Sequence, residues 1–206
     1  MIPTVLPGDR VIANKAAYGL RIPFTRRELL DRRQPRRGDL VVFFDPLGDG
    51  RLLKRVVGLP GEEIELRADH LFVDGRGATY RPLEAAGDRW VRAYLPGDGR
   101  IVEEALEGGR YPILLTAFRA PDIEPLRLEN GEYFVLGDNR DNSRDSRHFG
   151  PVPRAAIIGR VRAVAFSVDR ADGFRFRPER RGMTLPGPWF EAARGAPSDG
   201  DHPIRR

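Results

Sequence analysis

Short apolar runs cut by glycine and proline constrain this chain more than any other feature. Twenty-three glycines and eighteen prolines are spread through 206 residues. Both residue types are poor in helix interiors and mark turns. Between them lie strand-like stretches: "DRVIANK" (9–15), "DLVVFF" (39–44), "GRYPILLTAF" (109–118), "GEYFVLGDNRD" (131–141) and "AAIIGRVRAVAFSVD" (155–169). "RLLKRVVGLPGEEIELRADHLFVDG" (51–75) reads as two or three strands broken at Leu-Pro-Gly and Ala-Asp-His, and "RWVRAYLPGDGRIVEEAL" (89–106) adds more. The best helical segment, "TRRELLDRR" (25–33), is only about two turns long. Strand–helix–strand spacing is absent, so the expectation is a mostly β, antiparallel fold. Residues 1–80 and 131–170 form its core, 81–130 a β-rich insertion with its own acidic and Gly-turn texture, and 171–206 a largely irregular or disordered extension.

Hydrophobic residues make up 40% of the chain, enough for a packed core. There is no cysteine, which excludes disulfides, thiolate catalysis and zinc–thiolate sites. The three histidines, His70, His148 and His202, are far apart in sequence, so no metal site is expected. The net charge of +5 admits an anionic partner. The basic residues are scattered, however, and no aromatic residues alternate with them as a base-stacking platform requires, so nucleic acid is not expected. No apolar run approaches the ~20 residues of a membrane span.

Of 35 basic residues only two, Lys15 and Lys54, are lysine. Where arginine serves for every ordinary positive charge, a surviving lysine is a candidate for work arginine cannot do, since only lysine loses its proton in a protein. In a strand, Leu52, Lys54, Val56 and Gly58 share one face. A lysine between Leu and Val is either a desolvated base or a strand-edge side chain reaching to water.

The second dense stretch is "LGDNRDNSRDSRHFG" (136–150), which carries two of the four serines, Ser143 and Ser146. Its short polar side chains suit a rigid, self-bonded loop. Either serine is a candidate nucleophile or orienting partner, and an ordinary Asx-rich turn is the alternative. The aspartates do not follow the spacing of a calcium loop. The triplet Arg37-Gly38-Asp39 is read as a turn into a buried strand.

Taken together, "MIPTVLPGDRVIANKAAYG", "RRGDLVVF", "LLKRVVGLPGEEIEL" and "GDNRDNSRDSRHFGPVPRAAIIGR" resemble, in order and character, the sequence boxes of bacterial type I signal peptidases over residues 1–169. The resemblance implies a signal-peptidase-type antiparallel β catalytic core and a membrane-bound serine protease that uses a Ser–Lys dyad. Lys54 matches the general base and Ser143 the serine that orients it. Arg55, Asp145 and Arg147 match the supporting network. Met1, Val5 and Leu52 match the wall of the first substrate pocket, and Val11, Val42 and Leu53 that of the third. The implied substrates are signal peptides of exported pre-proteins, cut after small residues of the Ala-x-Ala type. The implied location is the outer face of the inner membrane, against the lipid surface, with no cofactor and no metal.

One departure stands out. In the family the nucleophilic serine immediately precedes the Met of Met-x-Pro-Thr, which here is Met1. The expectation is therefore a truncated, inactive form of an active peptidase. The alternatives are a non-catalytic relative that binds polypeptides, or a Ser–Lys peptidase for conjugation or pilus maturation.

Overall fold

A computed structural model describes residues 1–21, 28–31, 33–83, 89–118, 120–170, 172–186 and 190. The chain starts with β1 (Asp9–Asn14), a two-stranded ladder of β2 (Gly19–Arg21) and β3 (Glu28–Asp31), and the hairpin β4 (Leu40–Phe44) and β5 (Arg51–Gly58). Next come β6 (Glu63–Arg67), β7 (His70–Val73), β8 (Arg76–Gly77), β9 (Thr79–Pro82) and the short helix α1 (Arg89–Ala93). Strands β10 (Arg100–Leu106), β11 (Gly109–Leu115), β12 (Ile123–Arg127) and β13 (Glu132–Leu136) follow. A one-turn helix α2 (Ser146–Phe149), β14 (Val152–Pro153), the long β15 (Ile157–Asp169) and β16 (Arg175–Phe176) close the described chain.

The fold is mostly β and antiparallel, as the turn-punctuated runs require. The main sheet has the order β1-β15-β4-β5-β13-β14, with β16 added to β15. Two smaller sheets, β11-β10-β9 and β12-β6-β7-β8, lie beside it. Two segments depart from expectation. Residues 28–31 of the stretch read as helix are the strand β3, because a two-turn helix with no partner cannot nucleate while a ladder to β2 is at hand; positions 25–27 and 32 fall outside the described residues. Residues 89–93, read as strand, are helical and set Trp90, Val91 and Tyr94 into one apolar cluster with Leu6 and Leu114.

Strand alternation gives β5 and β13 two buried faces. Val56, Tyr133 and Val135 join Val41, Phe43, Val152 and Ile157 on one side. Val57, Phe134 and Leu136 pack on the other side against Ile64, Leu71, Tyr111 and Ile113 of the smaller sheets. The smaller sheets thus cap one face of the main sheet, and α2, through Phe149, closes the other.

The first nine residues are held from the far end of the sequence. Arg180, 1% exposed, grips the Asp9 carboxylate through Nε at 3.0 Å and Nη2 at 2.7 Å. Arg177, fully buried, donates to the Pro7 carbonyl at 3.1 Å, pairs with Asp169 at 3.1 Å and stacks on Trp90. No helix among the described residues is long and apolar enough to cross a membrane.

Candidate active site

Lys54 sits midway along β5, opposite Val41 of β4. The strand it belongs to changes character there. β4 pairs with Arg51–Arg55, and Gly38 and Asp39, just ahead of β4, bond Val56; β13 meets β5 on the other side only at Arg55, Val56 and Gly58, through Leu136, Val135 and Phe134. Among the described residues, no strand pairs with Arg51–Lys54 on that side, because the chain leaves the sheet at Gly137. The result is a free backbone edge with a lysine at its inner end.

The loop that starts at Gly137 folds back over this edge. Lys54 Nζ donates to Ser143 Oγ at 2.9 Å. Ser143 is also bonded to Asp145, and Asp145 is fully buried. Its carboxylate caps α2 and accepts the Gly137 N–H at 2.9 Å and both Nε and Nη2 of Arg147 at 2.8 Å. Burial pushes the Asp145 carboxyl up, but the Arg147 guanidinium, the Gly137 N–H and Ser143 together hold it below the usual carboxylate range. Gly137 is required by space. A Cβ there would lie 2.1 Å from Ser143 Oγ and 2.6 Å from Ser143 Cβ. The other serine of the loop, Ser146, is buried and accepts the Val135 N–H at 2.9 Å, which leaves it a structural role.

Desolvation is the main influence on Lys54 and lowers its pKa. Asp145 and Asp138 act the other way, and Arg147 and Arg144 oppose them. The balance follows from pairing. Asp145 is matched by Arg147, Asp138 by a bidentate Arg55 at 2.7 Å on both nitrogens, and Asp45 at the β4–β5 turn by Arg144. Each of these carboxylates has its own guanidinium, which offsets its pull on the Lys54 proton and leaves burial the larger influence.

The N-terminal segment reaches the same place. The Met1 nitrogen is buried and interacts electrostatically with Asp138, Lys54 and Arg55. Thr4, completely buried, donates to Asp138 and accepts from Arg55 Nη2 at 3.2 Å. Arg55 also donates to the Gly38 carbonyl at 2.8 Å and stacks on Tyr111 at 4.5 Å. The triplet read as a turn therefore supplies a carbonyl anchor behind the site. Val5 closes a tight turn onto the Met1 carbonyl. Leu52 and Leu53 flank Lys54 on the free edge, and Val42 faces Leu53 directly across the β4–β5 ladder. Val11 is farther off, on β1 opposite Val164, with β15 between it and Val42.

Sequence reasoning missed several participants. Asp138, Thr4, Gly137 and Arg140 were not singled out, although the loop's equal count of three aspartates and three arginines was a signal of charge pairing. Three of those six residues find charged partners outside the loop and Asp141 bonds Thr116, none of which a local reading can supply. No group of three or more His, Cys, Asp or Glu side chains is placed to hold a metal ion among the described residues.

A β scaffold presses a desolvated lysine against a serine hydroxyl beside an open strand edge, an arrangement suited to proton transfer. A family model described as signal peptidase, peptidase S26, matches residues 1–166, and the chain belongs to that family. It is 30% identical over 208 residues to a signal peptidase I of Buchnera aphidicola, covering 82% of this chain and 66% of that one. It is 33% identical over 181 residues to a signal peptidase I of Pseudomonas fluorescens, covering 81% and 62%. The chain thus spans just under two thirds of the length of these relatives. A crystal structure of a signal peptidase I from Enterococcus faecalis is 28% identical, covers 62% of this chain and 97% of its own, and superposes with a TM-score of 0.42.

Proposed function

We propose that this chain is the catalytic portion of a serine endopeptidase that removes signal peptides from exported pre-proteins. The observation that carries the reading is the 2.9 Å contact between a desolvated Lys54 and Ser143 at the end of an unpaired strand edge. Lys54, neutral, is the general base. Ser143, bonded to Asp145, takes one N–H of the amine and turns its lone pair toward the buried end of the chain at Met1. The attacking hydroxyl is that of a serine directly before Met1, where the family motif puts it. The base withdraws that proton as the oxygen adds to the scissile carbonyl. The same proton then passes to the leaving amine, and a second cycle with water releases the acyl group.

The substrate adds as a strand along Arg51–Lys54, whose backbone groups have no partner on the β13 side among the described residues. Leu52, Leu53, Val42, Val5 and Met1 wall its pockets, with Val11 set back two strands behind Val42, and the closeness of the walls to the backbone selects small side chains at the first and third positions before the cut. The partners are signal peptides at the outer surface of the inner membrane, and the chemistry uses neither metal nor cofactor.

The test is a protein with serine before Met1, acting on a peptide with Ala-x-Ala before the cut. Lys54→Ala and Lys54→Arg each lower kcat/KM by about a thousand-fold or more, since arginine cannot accept the proton. Retained activity in Lys54→Arg sinks the assignment. Binding of the peptide without cleavage by the serine-bearing protein marks a polypeptide-binding relative instead.

A further inference from the structure

The smaller sheet β11-β10-β9 does more than cap the core. Glu104 of β10 is completely buried, and both its oxygens accept from Arg140 at 2.6 Å. Arg140 is itself 3% exposed and belongs to the loop that carries Ser143. Tyr80 of β9 donates its hydroxyl to Glu104 at 2.9 Å and accepts the Leu71 N–H at 2.9 Å, which fixes the carboxylate from behind. The loop backbone is drawn along β11 as well: Leu114 N–H donates to the Asp138 carbonyl at 2.8 Å and Arg140 N–H to the Leu114 carbonyl at 3.0 Å. Thr116 completes the seam by donating its hydroxyl to Asp141 at 2.9 Å.

This anchor is connected to the base by unbroken contacts. The Arg140 carbonyl accepts from Arg147 Nη2. Arg147 holds Asp145 through two nitrogens, Asp145 is bonded to Ser143, and Ser143 accepts from Lys54. A buried ion pair is weak support for stability, because two apolar side chains of similar volume serve as well or better. What a bidentate pair supplies is a fixed place for its arginine. If Glu104 is lost, the guanidinium of Arg140 becomes an unpaired buried cation, must leave the core, and takes with it the carbonyl on which Arg147 rests.

We propose that Glu104 is a positioning residue of the site, acting through Arg140 and Arg147 to hold Ser143 against Lys54. The proposal rests on Lys54 being the base. The charged groups around Lys54 are Asp145, Arg147, Asp138 and Arg144, and those around Glu104 are Arg140 and the hydroxyls of Tyr80 and Tyr111. Withdrawal of the loop admits water to the amine and weakens desolvation, the largest influence on Lys54.

The scarcity of lysine makes a direct test available. In the Lys15→Arg protein, Nζ-detected NMR of labelled lysine follows Lys54, assigned by its disappearance in Lys54→Arg. Glu104→Gln is expected to raise the Lys54 titration midpoint by about one pH unit. It should also lower kcat of the serine-bearing protein about ten-fold with KM little changed. The double variant Glu104→Leu/Arg140→Leu keeps the core apolar and is expected to fold with at least the parent's stability. It should nevertheless show a raised midpoint and a lowered kcat, because two leucines have no directional bonds to fix the position of the residue-140 carbonyl, whereas a pair that serves core stability alone would be replaced without loss. A midpoint and kcat at parental values in the folded double variant overturn the proposal, even if Glu104→Gln itself fails to fold. Lys54→Ala in the same assay separates the two levels. An active Lys54→Ala removes the base assignment, while an inactive one beside unchanged Glu104 variants removes only the role of Glu104.

Discussion

The two halves of β5 are one strand in two environments. Arg55–Gly58 are buried, and Arg55 and Val56 are bonded on both sides, by Leu40 of β4 or the Gly38–Asp39 segment just ahead of it and by β13. Arg51–Lys54 are bonded by β4 alone and stay partly exposed. The inner half has the features of a core strand, with Val56 and Val57 at zero exposure on opposite faces. The outer half keeps an open edge and half-buried side chains, and Lys54 lies at the junction. There burial lowers the pKa of the amine, which still lies one step from an open backbone edge. Rigidity and reactivity are therefore separated by about 3.3 Å of strand. An amine on the inner half would be buried on both faces, and one farther out would be solvated.

The same substitution on the two sides of this junction should have opposite consequences. Gly137→Ala places a methyl 2.1 Å from Ser143 Oγ, where the neighbour is a short side chain fixed to the loop backbone. Ser143 has to move by about an ångström, and kcat of the serine-bearing protein should fall about a hundred-fold in a peptide-cleavage assay. Gly58→Ala meets Ile64 Cδ1 at 2.6 Å and Leu128 Cδ1 at 2.9 Å, the ends of flexible side chains. The expected cost is about 1–3 kcal/mol in urea unfolding, with kcat unchanged at temperatures where the variant is folded. Equal effects of both on kcat would show that the halves are not separate in function.

The smallest effect sharpens the comparison from the side of stability. The folded-state pKa of Lys54 lies below its ordinary value of 10.5. Between the two values the unfolded chain holds a proton that the folded one lacks, so stability rises with pH across that window. Below the folded pKa the fold bears the full burden of a desolvated ammonium. Lys54→Met should therefore stabilise the protein by about 1 kcal/mol near neutral pH, by less as pH approaches 10.5, and lose this part of the pH slope. Unfolding midpoints of both proteins from pH 6 to 10 check it. A variant no more stable than the parent at pH 6 would mean that Lys54 reaches water freely.

Much of this arrangement was legible in the sequence, for identifiable reasons. Lys54 was marked by scarcity and by its place between Leu52 and Val56, and the strands from β4 to β7 were marked by apolar runs and turn residues. These are local signals. What could not be read were the partners of Arg55, Arg140, Arg144 and Arg180, which lie 83, 36, 99 and 171 residues away in the chain. With arginine so abundant, nothing in composition tells a buried guanidinium from a solvated one. The helix expected near residues 28–31 failed for the complementary reason: the local pattern fitted, but a strand partner from Gly19–Arg21 was nearer than any helix-packing surface.

The grip of Arg180 on Asp9 also sets an order of events during synthesis. Asp9 emerges from the ribosome long before its partner, which follows 171 residues later, roughly 10–30 s at ordinary elongation rates. Strand β1 waits as well, since its ladder is made only with β15. Until then the segment from Met1 to Asp9 has neither its sheet nor its clasp, and the end of the chain that meets Lys54 has no fixed seat. The turn that carries Arg177 and Arg180, made late in synthesis, is therefore what gives the first residues their seat.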